Sequence, residues 1–123
     1  METMKIAVAS QNRREVTGHA GRCRKFWIYT MVDGEVRGRE LLELPKERSF
    51  HEHDVRLPHP LDGMRALITG GMGSGLARKL AARGIEAVAT PARDPDRAVA
   101  DWLAGSLERL AVEEEHAHGG GHA

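Results

Sequence analysis

Between Met64 and Thr90 the chain carries a pattern that few folds accommodate. An apolar run from Met64 to Thr69 breaks at Gly70-Gly71-Met72-Gly73-Ser74-Gly75. Helical spacing follows from Leu76 to Arg83, Gly84 interrupts it, and a second apolar run extends from Ile85 to Thr90. Short runs with apolar residues at successive positions suit strands buried on both faces. Two such strands joined by a helix lie parallel, with a right-handed crossover. Gly84 fits the left-handed residue that closes a helix. The segment therefore predicts a βαβ unit, and with it an α/β domain.

The flanking sequence extends that unit. Lys5 to Ala9 reads as a first strand, ending in polar Ser10-Gln11-Asn12. Phe26 to Val32, rich in β-branched and aromatic residues, reads as a second strand. Asp33-Gly34 then signals a tight hairpin, because both residues tolerate positive φ. Val36, Leu41, Leu42 and Leu44 belong to the return strand, Gly38 suggests a bulge within it, and Pro45 stops it. Asp94-Pro95 supplies an N-cap and first residue for a last helix, in which Val99, Trp102, Leu103, Ser106, Leu107 and Leu110 recur at helical spacing. If the first strand pairs antiparallel with the second and parallel with the βαβ unit, a mixed five-stranded sheet results, in the order 3-2-1-4-5. The carboxyl ends of its first, third, fourth and fifth strands share one edge, where open α/β sheets place their ligands.

Composition narrows the function classes. With 123 residues, 41% hydrophobic and 29% charged, the chain is expected to form one domain over residues 1–112. Residues 113–123, Glu-rich and then His/Gly-rich, have nothing to bury and are expected to form a disordered tail, with His116, His118 and His122 solvated. Eighteen basic and eighteen acidic residues cancel, which argues against a globally basic nucleic-acid binder. No apolar stretch approaches the ~20 residues of a membrane span. A single cysteine and a start without a basic signal region point to the cytoplasm.

The chemistry-bearing residues cluster in the predicted loops. Residues 10–25 hold Arg13, Arg14, Arg22, Arg24 and Lys25 against Glu15 alone, a local excess of positive charge. His19 and Cys23 stand four apart on the same glycine-rich loop; imidazole and thiolate both ligate zinc or iron, and neighbouring arginines favour an ionised thiol. His51 and His53, in a long loop from 45 to 63, fall on one side of an extended chain and head for the same edge. As surface residues these histidines need no function, but their convergence makes a metal site a live alternative. The Gly70–Gly75 turn lacks the Lys-Ser/Thr pair of a P-loop and places Leu76 where a dinucleotide fingerprint needs Gly or Ala. A tight turn is the simpler reading, with the amides of Gly71 and Gly73 as candidate anion donors. The first strand carries no carboxylate for a two-metal nuclease site. Cys23 with His19 forms a conceivable nucleophile–base pair without an identifiable third group.

Four segments together resemble the nitrogenase iron–molybdenum cofactor biosynthesis family, which comprises the NifX and NafY proteins, the C-terminal domain of NifB and small stand-alone relatives. They are Lys5-Ile-Ala-Val-Ala-Ser, Gly18-His-Ala-Gly followed by Phe26-Trp-Ile-Tyr, Ile68-Thr-Gly-Gly-Met-Gly and Arg83-Gly-Ile-Glu. The resemblance covers about Lys5 to Leu110. It implies a ribonuclease-H-like three-layer fold with helices flanking the mixed sheet, and no nuclease activity. It implies a non-catalytic binding or carrier protein for the iron–molybdenum cofactor or an iron–sulfur precursor, working with cofactor-assembly proteins as a monomer or weak dimer. The family's functional histidine falls on His19, and its glycine-rich turn on Gly70, Gly71 and Gly73. Cys23, His51 and His53 remain candidate metal ligands, and Arg22 and Arg24 candidate cluster-attracting charges, on the residue argument alone. The alternative is a metal-free regulatory or interaction module that binds a small anion or a protein partner on the same fold.

Overall fold

A computed structural model describes residues 3–18, 23–45 and 61–110. The elements run β1 (Thr3–Ala9), β2 (Lys25–Val32), β3 (Glu35–Glu43), β4 (Ala66–Thr69), α1 (Ser74–Ala82), β5 (Glu86–Ala89) and α2 (Pro95–Ala104). The five strands form one sheet in the order β3-β2-β1-β4-β5. β1 pairs antiparallel with β2 and parallel with β4, β2 antiparallel with β3, and β4 parallel with β5. The mixed α/β architecture and strand order expected from the sequence are thus the observed ones.

Alternation along the central strand divides the core into two layers. Ala7 and Ala9 join Phe26, Ile28, Leu67 and the α1 residues Leu76 and Leu80 on one face. Ile6 and Val8 join Met31, Ile68, Val88 and the α2 residues Ala98 and Val99 on the other. Strands flanked by helices on both faces need apolar side chains at successive positions, which is why Ile6 through Ala9 are all fully buried.

Local sequence accounts for the turns. Asp33 and Gly34 both have positive φ (53° and 83°), as a two-residue type I′ hairpin requires. The β2–β3 register shifts between Thr30, opposite Gly38, and Met31, opposite Val36, so the extra residue of the bulge is Arg37, next to the predicted glycine. α1 ends in a Schellman motif: Gly84 N–H donates to the Ala81 carbonyl and Ile85 N–H to that of Leu80, while Ile85 and Leu80 share the same apolar layer. α2 begins as predicted, with the Asp94 carboxylate accepting from Asp96 N–H and Pro95 in the first turn. Farther along α2's face, Tyr29 Oη donates to Asp96 Oδ1 at 2.5 Å, and Arg39 lies 4.1 Å over the Trp27 ring while reaching Asp96 at 3.2 Å. Burial, then the Asp96 carboxylate, push the Tyr29 phenol well above its usual range.

One expectation fails. The helical spacing of Ser106, Leu107 and Leu110 does not continue α2, which stops at Ala104 because Gly105 adopts the left-handed conformation (φ 77°). The chain then turns along β5. Leu110 N–H donates to the Ala89 carbonyl, Thr90 Oγ1 donates to the Glu108 carbonyl, and Arg109 pairs with Glu86 at 2.6 Å. No helix among the described residues is long and apolar enough to cross a membrane.

Candidate functional site

The C-terminal edge of the parallel strands is where the predicted loops meet, and hydrogen bonds fix how. The segment after β1 is tightly held. Asn12 Oδ1 accepts from the amides of Arg14 and Glu15, Ser10 Oγ donates to the Glu15 carbonyl, and Arg13 takes a positive φ of 66°. Thr17 N–H returns to the Ala9 carbonyl, its hydroxyl accepts from Gln11 N–H at 2.5 Å, and its carbonyl accepts from both Gly70 N–H (2.7 Å) and Thr69 Oγ1 (2.8 Å). Val16 N–H donates to the Arg93 carbonyl of the link after β5. Three loops are therefore joined within a few residues. β3 ends at the same edge, with Glu43 opposite Lys25 and Leu44 N–H donating to the Arg24 carbonyl.

This geometry explains the glycine-rich turn. A Cβ at Gly71 would lie 2.6 Å from the Gly18 carbonyl oxygen, and one at Gly70 would lie 3.0 Å from Gly18 Cα. Neither residue has positive φ, so what demands glycine is the close approach of the β1 loop. Gly73 is the N-cap of α1, with φ −83° and no side-chain cap, and no acidic residue occupies the first turn. The simpler sequence reading, a tight turn, gains a specific purpose here: it leaves room for Gly18 against the residues that lead into α1.

Cys23 is 2% exposed, packs in the α1-side layer, and directs its Sγ to the Lys25 carbonyl at 3.1 Å. Burial pushes its thiol pKa up, outweighing the hydrogen bonds and the Lys25 charge that act in the other direction. The expectation that nearby arginines would keep this thiol ionised is therefore overturned: desolvation dominates at an interior sulfur. Arg24 is half-buried with its backbone N–H on Gln11 Oε1, and Arg13 and Arg14 are exposed on the same edge. His19, Arg22, His51, His53 and the tail from residue 113 lie outside the described residues. Among the described residues, no three His, Cys, Asp or Glu side chains gather closely enough to hold a metal ion.

The structure adds residues that the sequence reading passed over. Ser10, Thr69 and Thr90, at or just past the ends of β1, β4 and β5, are at most 1% exposed, and each donates its hydroxyl to a backbone carbonyl outside its own strand. Gln11 bridges to Arg24, and Arg93 joins the basic rim, 3.8 Å from Glu15. The available signal was a polar residue ending each apolar run.

With this geometry in view, the chain can be set beside known proteins. A family model described as dinitrogenase iron-molybdenum cofactor matches residues 2–105. An uncharacterized protein of Methanocaldococcus jannaschii is 26% identical over 112 residues, covering 89% of this chain and 94% of its own length. A crystal structure of a second protein from that organism superposes with a TM-score of 0.67 at 19% identity, over 91% of this chain and 99% of the other. The apo form of the orange protein from Desulfovibrio gigas gives 0.64 at 19% identity, over 90% and 96%. These solved structures share the fold.

Proposed function

Since the chain belongs to the dinitrogenase iron-molybdenum cofactor family, we propose that it is a non-catalytic binding or carrier protein whose cargo is an iron–sulfur cluster or the iron–molybdenum cofactor. The observation that carries this reading is the junction of Thr17 and Gly18 with Gly70 and Gly71, which seats the residue immediately before His19 beside the turn that leads into α1. His19 is the proposed protein ligand, with Cys23, His51 and His53 as candidate partners. Arg13, Arg14, Arg22 and Arg24 attract the cluster's negative charge, and the amides of Gly71 and Gly73 donate hydrogen bonds to its sulfides or to an attached carboxylate. Cys23 can join only after losing a proton that its interior position retains, so metal binding there would release that proton.

That same burial favours a second reading, in which the thiol is a core residue and the edge binds a small anion or a protein partner without metal. Anaerobic reconstitution with an iron–sulfur cluster, followed by iron quantification and visible absorption, separates the two. The cargo reading expects stoichiometric uptake by the parent and a loss of about tenfold or more in His19→Ala, the usual scale for disturbing a metal site. Equal uptake by parent and the His19→Ala/Cys23→Ser double variant removes both residues from the site. No uptake by the parent favours the metal-free module.

A further inference from the structure

The opposite edge of the sheet, where β1 and β4 begin, holds a cavity of about 460 Å³ that the cargo site does not use. Its volume falls in the range of small-molecule sites, about 300–1,000 Å³. Lys5, Arg65 and Arg83 line it, together with Met4, Met64 and the backbone of Gly84. Arg83, whose side chain is only 11% exposed, is paired with Asp62 at 2.5 Å. Lys5 and Arg65 differ: both are exposed, and neither is ion-paired among the described residues.

The sheet register makes that pair more than two surface charges. Ile6 pairs with Ala66 on adjacent parallel strands, and Arg65 N–H donates to the Lys5 carbonyl at 2.7 Å, so the two cations stand side by side. Ala7, two residues on, enters the α1-side layer, so alternation puts Lys5 on that face, and Arg65, one residue before β4 begins, lines the same cavity. Like charges in neighbouring strand positions repel. Here they do so over a cavity to whose lining no carboxylate among the described residues contributes. The C-terminal end of α1, which would oppose an anion, has its Leu80 and Ala81 carbonyls already occupied by the Schellman bonds. Met64, buried in the α1-side layer, borders the cavity with polarisable apolar surface for a short carbon skeleton.

We infer that this cleft binds a small organic dianion, a dicarboxylate or a phosphate monoester, between Lys5 and Arg65. The inference is independent of the cluster reading, because it concerns the other edge and needs no metal. The test is calorimetric titration of the metal-free protein with succinate and with inorganic phosphate at constant ionic strength, alongside amide NMR spectra. The expected result is saturable binding of at least one probe tighter than about 10 mM, with shifts centred on the Gly63 and Gly84 amides. The Lys5→Gln/Arg65→Gln variant, both positions being exposed, should keep the parent's spectrum and lose about tenfold or more in affinity. Whichever probe binds more tightly identifies carboxylate or phosphate as the recognised group. Binding of neither probe, unchanged affinity in the double variant, or shifts centred on Gly70 and Gly71 instead would each overturn the assignment.

Discussion

At the C-terminal ends of β1, β4 and β5 stand Ser10, Thr69 and Thr90, each buried and each donating to a backbone carbonyl of a loop segment: Glu15, Thr17 and Glu108 respectively. Near the N-terminal ends of the same strands stand Lys5, Arg65 and Glu86, all exposed. One edge consumes its polar groups internally, and the loops above it are therefore held close. The other leaves the Lys5 and Arg65 charges facing solvent, with Glu86 paired to Arg109. A buried hydroxyl costs little when its partner is a carbonyl that would otherwise be desolvated, whereas a lysine or arginine stays outside unless paired. The two edges therefore suit different kinds of function. Chemistry at the first edge must come from side chains projecting beyond the locked backbone, while at the second the strand residues themselves are available.

The strongest way to break this contrast is through its glycines. Gly71→Ala should destabilise by about 2 kcal/mol, because its Cβ would press on the Gly18 carbonyl. Gly84→Ala meets open space, and only its φ of 76° resists, at about 1 kcal/mol. Urea denaturation of both variants checks the ranking, and a reversed order would mean the loops above the first edge are not in tight contact. Next in size, Thr69→Val should lose about 1 kcal/mol, limited because the Thr17 carbonyl keeps the Gly70 N–H. Arg65→Gln should stay within about 0.5 kcal/mol of the parent. Equal losses at the two positions would erase the distinction between the edges.

The smallest effect concerns Cys23. Its thiol pKa is raised in the fold, so the unfolded chain gives up this proton at lower pH than the folded one. The corresponding stability is full below the ordinary thiol range and declines as pH rises through it. Urea midpoints followed from about pH 7 to about pH 10 should fall more steeply for the parent than for Cys23→Ala. Identical slopes would show that the thiol is not sheltered.

Much of the fold was readable because its determinants are local. The Asp33-Gly34 turn, the Gly84 helix stop and the Asp94-Pro95 helix start each act through their own backbone and nearest neighbours. What failed to show in the sequence was set at a distance. Leu107 and Leu110 keep a helical interval by number, yet Gly105 ends α2 and the following residues bond to the β5 region instead. Gly70 and Gly71 invite a phosphate-turn reading, and only the arrival of Gly18, more than fifty residues earlier in the chain, reveals their steric purpose. For Cys23 the sequence displays adjacent arginines but not the inward path that takes Sγ to the Lys25 carbonyl. The edge that gathers the loops was foreseeable from topology; how its polar groups divide between holding loops and meeting ligands was not.

The run of residues 106–110 along β5 also limits how such sheets can join. With Leu110 bonded to Ala89, that border of the sheet already has a neighbour, whereas β3 at the far border has none among the described residues. Two molecules can meet β3 to β3 about a two-fold axis, and the pair then presents no second free border of the same kind. Among the described residues, then, strand addition has one border open to it, and two copies joined there would leave no second. Even that step faces the bulge at Arg37 and the exposed charges of Glu35, Arg39, Glu40 and Glu43, which make β3 a poor template for an incoming strand.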